Sequence, residues 1–128
     1  MALKGFKALI AEANASIRTI SVQDAIALMD AEDVVFLDIR ESAERQNGGS
    51  IRGAVHAPRG FLEFIVDPEG PMHKPQIEAE KTLVLFCASG GRSTLAARTL
   101  QEMGFGDVCH IAGGFQAWQQ AGGDIEEA

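Results

Sequence analysis

Two uninterrupted apolar runs, Val34-Val35-Phe36-Leu37 and Leu83-Val84-Leu85-Phe86, punctuate an otherwise mixed chain. Short runs of this kind, with no polar residue at alternate positions, predict strands buried on both faces. Weaker strand patterns occur at Ile17 to Ile20, at Ala54-Val55-His56-Ala57, which Pro58 stops, and at Val108 to Ile111. Helical periodicity fills the intervals. Ser21 can cap a helix over residues 22 to 31, with Asp24 at the third position favouring the dipole and Ala25, Ile26, Leu28 and Met29 facing the core. Short helices are predicted over 41 to 46, broken by Gly48-Gly49, and over 60 to 66. Leu95, Ala96, Thr99, Leu100 and Met103 mark a longer helix from Ser93 to Met103, closed by Gly104. Gly113-Gly114 turns the chain into a last helix, Phe115 to Gln120.

The strands and helices alternate five times with short connections. That order implies right-handed crossovers and a mostly parallel central sheet of about five strands with helices on both faces, an α/β fold. The segment from Pro68 to Pro75, with three prolines and few apolar residues, reads as a surface loop. At the N-terminus, Leu3, Phe6, Leu9 and Ile10 share one helical face over residues 3 to 15 and predict a docking helix, against the alternative of a frayed tail. The whole of 1–128 reads as a single domain: an N-terminal helical extension over 1–15, a core over 17–122 and an acidic tail over 123–128, expected to be solvated.

Charge and composition narrow the chemistry. A net charge of −7 argues against nucleic acid or an anionic membrane surface as the main partner, so an anionic ligand needs a local positive site. The N-terminal residues carry charges among the apolar ones and form neither a signal-peptide core nor a span. The two cysteines, Cys87 and Cys109, fit neither a disulfide framework nor a zinc pattern, and point to a reducing cytoplasm. His56, His73 and His110 lack ligand spacing; neither a metal nor a cofactor is expected.

Open parallel sheets bind ligands at the carboxyl ends of their strands. Asp38 with Arg40, Arg59, and Cys87 all follow strand ends. The last opens the segment Cys87-Ala88-Ser89-Gly90-Gly91-Arg92-Ser93. Its glycines free the backbone to turn successive N–H groups toward one point, and the following helix adds the positive end of its dipole, so the loop forms a nest for an anion. An ordinary cysteine with a pKa near 8.5 is only about 3% thiolate at pH 7; lowering that pKa by roughly two units would stabilise the thiolate by about 2.7 kcal/mol and make it the majority form. The inward N–H groups, the helix terminus and Arg92 together can supply this.

The loop resembles the active-site loop of the rhodanese family: Cys, two variable residues, Gly, one variable residue, Arg, then Ser or Thr. Three further signatures extend the resemblance over residues 17 to 122. Asp38-Ile39-Arg40-Glu41 looks like the family's Asp-Val-Arg-Glu, Gly49-Ser50-Ile51-Arg52-Gly53-Ala54 like Gly-His-Ile-x-Gly-Ala, and Gly113-Gly114-Phe115-Gln116-Ala117-Trp118 like Gly-Gly-x-x-x-Trp. Ser50 stands where the family usually has His, and Ser42 where it often has Pro. The resemblance implies a rhodanese-like fold and a sulfurtransferase in which Cys87 takes the outer sulfur of thiosulfate or another persulfide donor and passes it to cyanide, a thiol or an acceptor protein. It makes Cys87 and Arg92 the catalytic pair, and Ala88, Ser89, Gly90, Gly91 and Ser93 the cradle for substrate.

Other roles stay open. Arg92 can pair a carboxylate or close the loop as well as attract anions, and Arg59 can contact the anionic donor or be a surface charge. Asp38 and Arg40 read as a structural pair supporting the site, Cys109 as core packing rather than a resolving thiol, and Trp118 as a core anchor. Two rival functions remain. A cysteine phosphatase or arsenate reductase also flanks an anion loop with Cys and Arg, but phosphatases place five residues between them, whereas four separate Cys87 from Arg92. A noncatalytic rhodanese-like binding module is the other, and such modules arise where the cysteine is lost.

Overall fold

Leu83, Leu85 and Cys87 face one side of the sheet while Val84 and Phe86 face the other, and Val35 and Leu37 alternate with Phe36 in the same way. This two-sided burial is why both runs contain no polar position. In the computed structural model, which describes residues 2–128, they form β2 (Val34–Asp38) and β5 (Thr82–Phe86) at the centre of a five-stranded parallel sheet. β1 (Arg18–Ile20), β4 (Val55–His56) and β6 (Val108–Ile111) complete it in the order β1-β6-β5-β2-β4. Register runs from Val34 opposite Thr82 to Asp38 opposite Phe86, so Asp38 and Cys87 leave the sheet at the same carboxyl edge.

One face is covered by α4 (Leu62–Val66) and α5 (Gly91–Glu102), through Leu62, Ile65, Val66, Ala96, Ala97 and Leu100. The other is covered by α2 (Val22–Ala27) and α6 (Gly114–Gln120), through Val22, Ala25, Phe115 and Trp118. Trp118 is fully buried, edge-on to Phe36 with ring centroids 5.8 Å apart, as a core anchor should be. Cys109 is fully buried in the same cluster. The Ser21 cap forms, with Ser21 Oγ accepting the Asp24 N–H at 3.1 Å, but α2 stops at Ala27 and residues 28–31 continue as turns rather than helix.

Several boundaries differ from expectation for physical reasons. The N-terminal helix, α1 (Phe6–Asn14), docks on α5, but by only one residue of the predicted stripe: Leu3, Phe6 and Leu9 are exposed. Ile10 of that stripe faces inward together with Ala13 and Ile17, and the small Ala13 is 2% exposed. Arg98 Nη1 to Ser16 Oγ at 2.8 Å and Gln101 Nε2 to the Ser16 carbonyl at 2.9 Å pin the end of α1 to α5. The helix predicted over 60 to 66 is a 3-10 turn at Arg59–Phe61 followed by α4. The tail does more than meet solvent: β7 (Ile125–Glu126) pairs antiparallel with β3 (Ser50–Ile51), a second small sheet with no local pattern to announce it. The loop over 67–81 carries no helix or strand and runs beside β4.

Candidate active site

The chain turns abruptly where β5 ends. Cys87 is 1% exposed, and Gly90, at φ 120°, bends the loop so that its own N–H donates to Cys87 Sγ at 3.1 Å. That φ is open to glycine and strained for any other residue. α5 begins at Gly91, two residues earlier than predicted, because the Gly90 carbonyl already accepts the Thr94 N–H at 3.1 Å. Arg92 and Ser93 therefore lie in the first helical turn, next to the positive end of the dipole. The Ser93 hydroxyl is 3.6 Å from Cys87 Sγ. Burial pushes the Cys87 thiol up, but the Ser93 hydroxyl and the backbone N–H groups of Ser93, Gly90 and Ser89 outweigh it, so the thiol ends below its ordinary value. Cys109 shows the contrast: burial raises it and only Arg18 partly offsets the rise.

Inward N–H groups require the loop's carbonyls to be occupied elsewhere. α6 does this. The N–H of Phe115 donates to the Cys87 carbonyl at 2.8 Å and that of Gln116 to the Ala88 carbonyl at 3.1 Å, so the end of one helix that lacks internal partners holds the loop from behind. The approach is close enough that a Cβ at Gly114 would lie 2.5 Å from the Cys87 carbonyl oxygen. The Gly-Gly turn before α6 thus belongs to the site although it touches no sulfur.

Beneath the loop, Asp38 and Arg40 form a buried pair, 0% and 4% exposed. Asp38 Oδ1 accepts the Arg40 backbone N–H and Nε, while Oδ2 accepts Arg40 Nη2 at 2.8 Å, Arg45 Nε at 3.2 Å and Ser50 Oγ at 2.8 Å. Burial pushes Asp38 up, but the hydrogen bonds of Arg40 and Ser50 and the Arg40 charge hold it below the usual carboxylate range. Ser50, where a histidine is usual, is thus a hydrogen-bond donor to the buried carboxylate. The Arg40 guanidinium stacks 4.3 Å from the Phe115 ring, linking this pair to the helix that grips the loop.

Arg92 is paired with a carboxylate. Its Nη1 and Nη2 bind Glu44 Oε1 and Oε2 at 2.7 and 2.8 Å, a bidentate bridge to α3 (Ser42–Gln46), which holds Glu44 at about 2. The guanidinium still lies within electrostatic reach of Cys87. Arg59 is not brought to the loop: its Nη1 pairs with Glu63 and its Nη2 with Thr99 Oγ1, which is about 12 Å along α5 from Gly91 at 1.5 Å per residue. It ties α4 to α5. Among the described residues no group of three or more His, Cys, Asp or Glu gathers as a metal site, and no helix is long and apolar enough to cross a membrane.

A model of the rhodanese-like domain matches residues 21–121. The chain belongs to the rhodanese-like domain family. This rhodanese-like domain is 32% identical over 106 residues to a thiosulfate sulfurtransferase GlpE of Shewanella oneidensis, covering 83% of this chain and 96% of that protein. It is 34% identical over 95 residues to a sulfurtransferase of Allochromatium vinosum, covering 74% and 80%. Among solved structures, the polysulfide-sulfur transferase homodimer of Wolinella succinogenes superposes with a TM-score of 0.76 at 29% identity, covering 96% and 88%. A Rhodopseudomonas palustris protein of unknown function, described as a possible tyrosine phosphatase, superposes with a TM-score of 0.92 at 48% identity, covering 98% and 97%.

In the sequence His110 is weighed only as a metal ligand, and its place beside the loop is missed. It is 4% exposed, and its Nδ1 is 2.8 Å from Ser93 Oγ. As one polar position in an apolar strand, it gave no sign that its partners lie on another strand and another helix.

Proposed function

We propose that this rhodanese-like domain carries sulfur as a persulfide on Cys87, taking it from thiosulfate or another persulfide donor and giving it to a thiophilic acceptor. The observation that carries this reading is the cradle itself: a buried sulfur met by the Gly90 N–H at 3.1 Å and by the Ser93 hydroxyl, in a loop whose carbonyls are turned outward. Such a cradle stabilises negative charge on sulfur in both the thiolate and the persulfide. In the first step the Cys87 thiolate attacks the outer sulfur of thiosulfate. A new S–S bond forms, the old one breaks, and sulfite leaves with the electron pair, so no proton moves. In the second, cyanide attacks the terminal sulfur, thiocyanate leaves and the thiolate returns; a thiol acceptor gives up its proton to become the persulfide. Arg92, steadied by Glu44, attracts the anionic donor toward the loop. Both thiols are free, which suits a reducing compartment.

The resemblance to a protein described as a possible tyrosine phosphatase raises a second reading. Loop size opposes it. Four residues between Cys87 and Arg92 gather the donors on the sulfur, leaving less room for a tetrahedral phosphate. The test is to incubate the protein with thiosulfate, remove excess donor and weigh the intact chain. A gain of about 32 Da that is absent in Cys87→Ser is expected. No gain with thiosulfate or any other persulfide donor overturns the reading. Phosphate release from an aryl phosphate, abolished in Cys87→Ser, would establish the phosphatase in its place.

A further inference from the structure

Behind the Cys87 sulfur runs a continuous line of hydrogen-bonding side chains. Ser93 Oγ, fully buried, lies 3.6 Å from Cys87 Sγ and 2.8 Å from His110 Nδ1; His110 Nε2 lies 3.0 Å from Thr19 Oγ1. Thr19 is exposed and, with His110, lines a cleft of about 300 Å³ between α1 and the loop, whose other walls include Ile10, Asn14, Ser89 and Thr94. The line therefore joins the sulfur of a residue only 1% exposed with a residue open to solvent.

Proton counting shows what this line can do. Ser93 has one hydroxyl proton and three neighbours that could take it: Cys87 Sγ, His110 Nδ1 and the Gly90 carbonyl at 3.2 Å. The Gly90 carbonyl already accepts both the Thr94 N–H and the Thr94 hydroxyl, at 3.1 and 2.8 Å, which fills its two lone pairs. The choice falls between sulfur and imidazole, and the tautomer of His110 decides it. With the proton on Nδ1, the ring donates to Ser93, Ser93 donates to sulfur, and Nε2 accepts from Thr19; this arrangement suits the thiolate. With the proton on Nε2, the ring donates to Thr19, Nδ1 accepts from Ser93, and the S–H donates to Ser93 Oγ; this suits the thiol.

The geometry points to His110 as a positioning residue that sets the protonation of Cys87 through Ser93, with the proton leaving by way of Thr19. In the forward shift the S–H bond breaks and its proton passes to Ser93 Oγ, the Ser93 proton to Nδ1, the Nε2 proton to Thr19 Oγ1, and the Thr19 proton to water in the cleft. Every group but sulfur ends neutral, and one proton is released. The ring stays uncharged throughout, in keeping with its burial, which lowers its basicity. The charged group within electrostatic reach of Cys87 is Arg92, itself bound to Glu44 and under the influence of Glu41. Arg18 and Cys109, the strand neighbours of Thr19 and His110, belong to the opposite face of the sheet, where Cys109 is in the second core cluster. Among the described residues no charged side chain lines the cleft.

The inference rests on Cys87 being the sulfur carrier, yet its test reads the thiol alone. The rate of iodoacetamide alkylation of Cys87 is followed against pH in wild type and variants, with folding checked by circular dichroism; absence of a sulfur adduct and absence of a pKa shift are then separate results. His110→Phe should raise the apparent Cys87 pKa by about one unit, lowering the neutral-pH alkylation rate up to tenfold. His110→Asn, which offers an amide N–H near the place of Nδ1, should restore most of it. Thr19→Val, at the exposed end, should shift the pKa upward by about half a unit. In a Ser93→Ala background neither change should add anything, since the route passes through that hydroxyl. A wild-type titration in folded His110→Phe, or in Thr19→Val where His110→Phe fails to fold, overturns the proposal, as do shifts that simply add to that of Ser93→Ala.

Discussion

At the scale of single residues, the strongest constraint on the Cys87 loop comes from an atom that is not there. Gly114 has φ 59°, and a methyl group on it would press 2.5 Å from the Cys87 carbonyl and 2.8 Å from the Ala88 carbonyl. Both contacts are with backbone, which cannot rotate aside. Gly114→Ala should cost about 1–3 kcal/mol from overpacking, with about 1 kcal/mol more for the left-handed backbone. Because the strain falls on the peptides that aim the N–H groups, sulfur loading by thiosulfate should fall by more than the lost stability explains. Thermal unfolding and the intact-mass adduct, measured on the same sample below its melting transition, check this; full loading in a destabilised but folded variant would show that the grip of α6 on the loop is dispensable. The sequence marked Gly113-Gly114 as a turn and Cys87 as the nucleophile candidate. It did not tie the two together, since the contact spans 27 positions and glycine has no side chain by which to advertise a partner. The role of His110 was hidden for the same reason in reverse: its side chain was visible, but Thr19 and Ser93 are distant in the chain.

Elements were legible where burial imposes a pattern. β2 and β5 are covered on both faces and read as apolar runs; α5 has one buried stripe and read as a helix. α1 misled because Leu3, Phe6 and Leu9, three of the four residues in its plausible stripe, are exposed, while docking is decided by the fourth, Ile10, with the small Ala13 and the Ser16 hydrogen bonds. Between elements, the bridge from Arg92 on α5 to Glu44 on α3 sets a pH dependence. Glu44, at about 2 in the fold against 4.5 unperturbed, is an acid with a depressed pKa. Its stabilising effect is therefore full above about 4.5 and fades as pH falls toward 2. The stability difference between wild type and Glu44→Gln, followed by urea unfolding, should be level from neutral pH to about 5 and shrink below that. A difference that grows on acidification would mean that Glu44 is not held by Arg92 in solution. Both side chains are a third or more exposed, so added salt should shrink the difference as well.

For the molecule as a whole, the far end of the chain supports the site indirectly. The Asp124 carbonyl accepts the Trp118 Nε1–H at 3.0 Å and the Arg52 N–H at 3.2 Å, and β7 pairs with β3. β3 carries Ser50, whose hydroxyl reaches Asp38, the carboxylate that holds Arg40 against Phe115. From Phe115 the path is one hydrogen bond to the Cys87 carbonyl. Removing residues 124–128 leaves the indole N–H of a buried Trp without its acceptor, a loss of about 1–3 kcal/mol, and unpairs β3. Truncation should lower the unfolding midpoint accordingly. Sulfur loading of Cys87 should survive it at moderate temperature, because Ile51, fully buried in the intact chain, also packs in the second core cluster and can hold Ser50 in place without β7. Comparing adduct formation and urea unfolding for the truncated and full chains separates the two effects. Loss of loading in a chain that stays folded would instead make the tail part of the machinery that positions the loop, and would extend the site from the carboxyl edge of the sheet to the end of the chain.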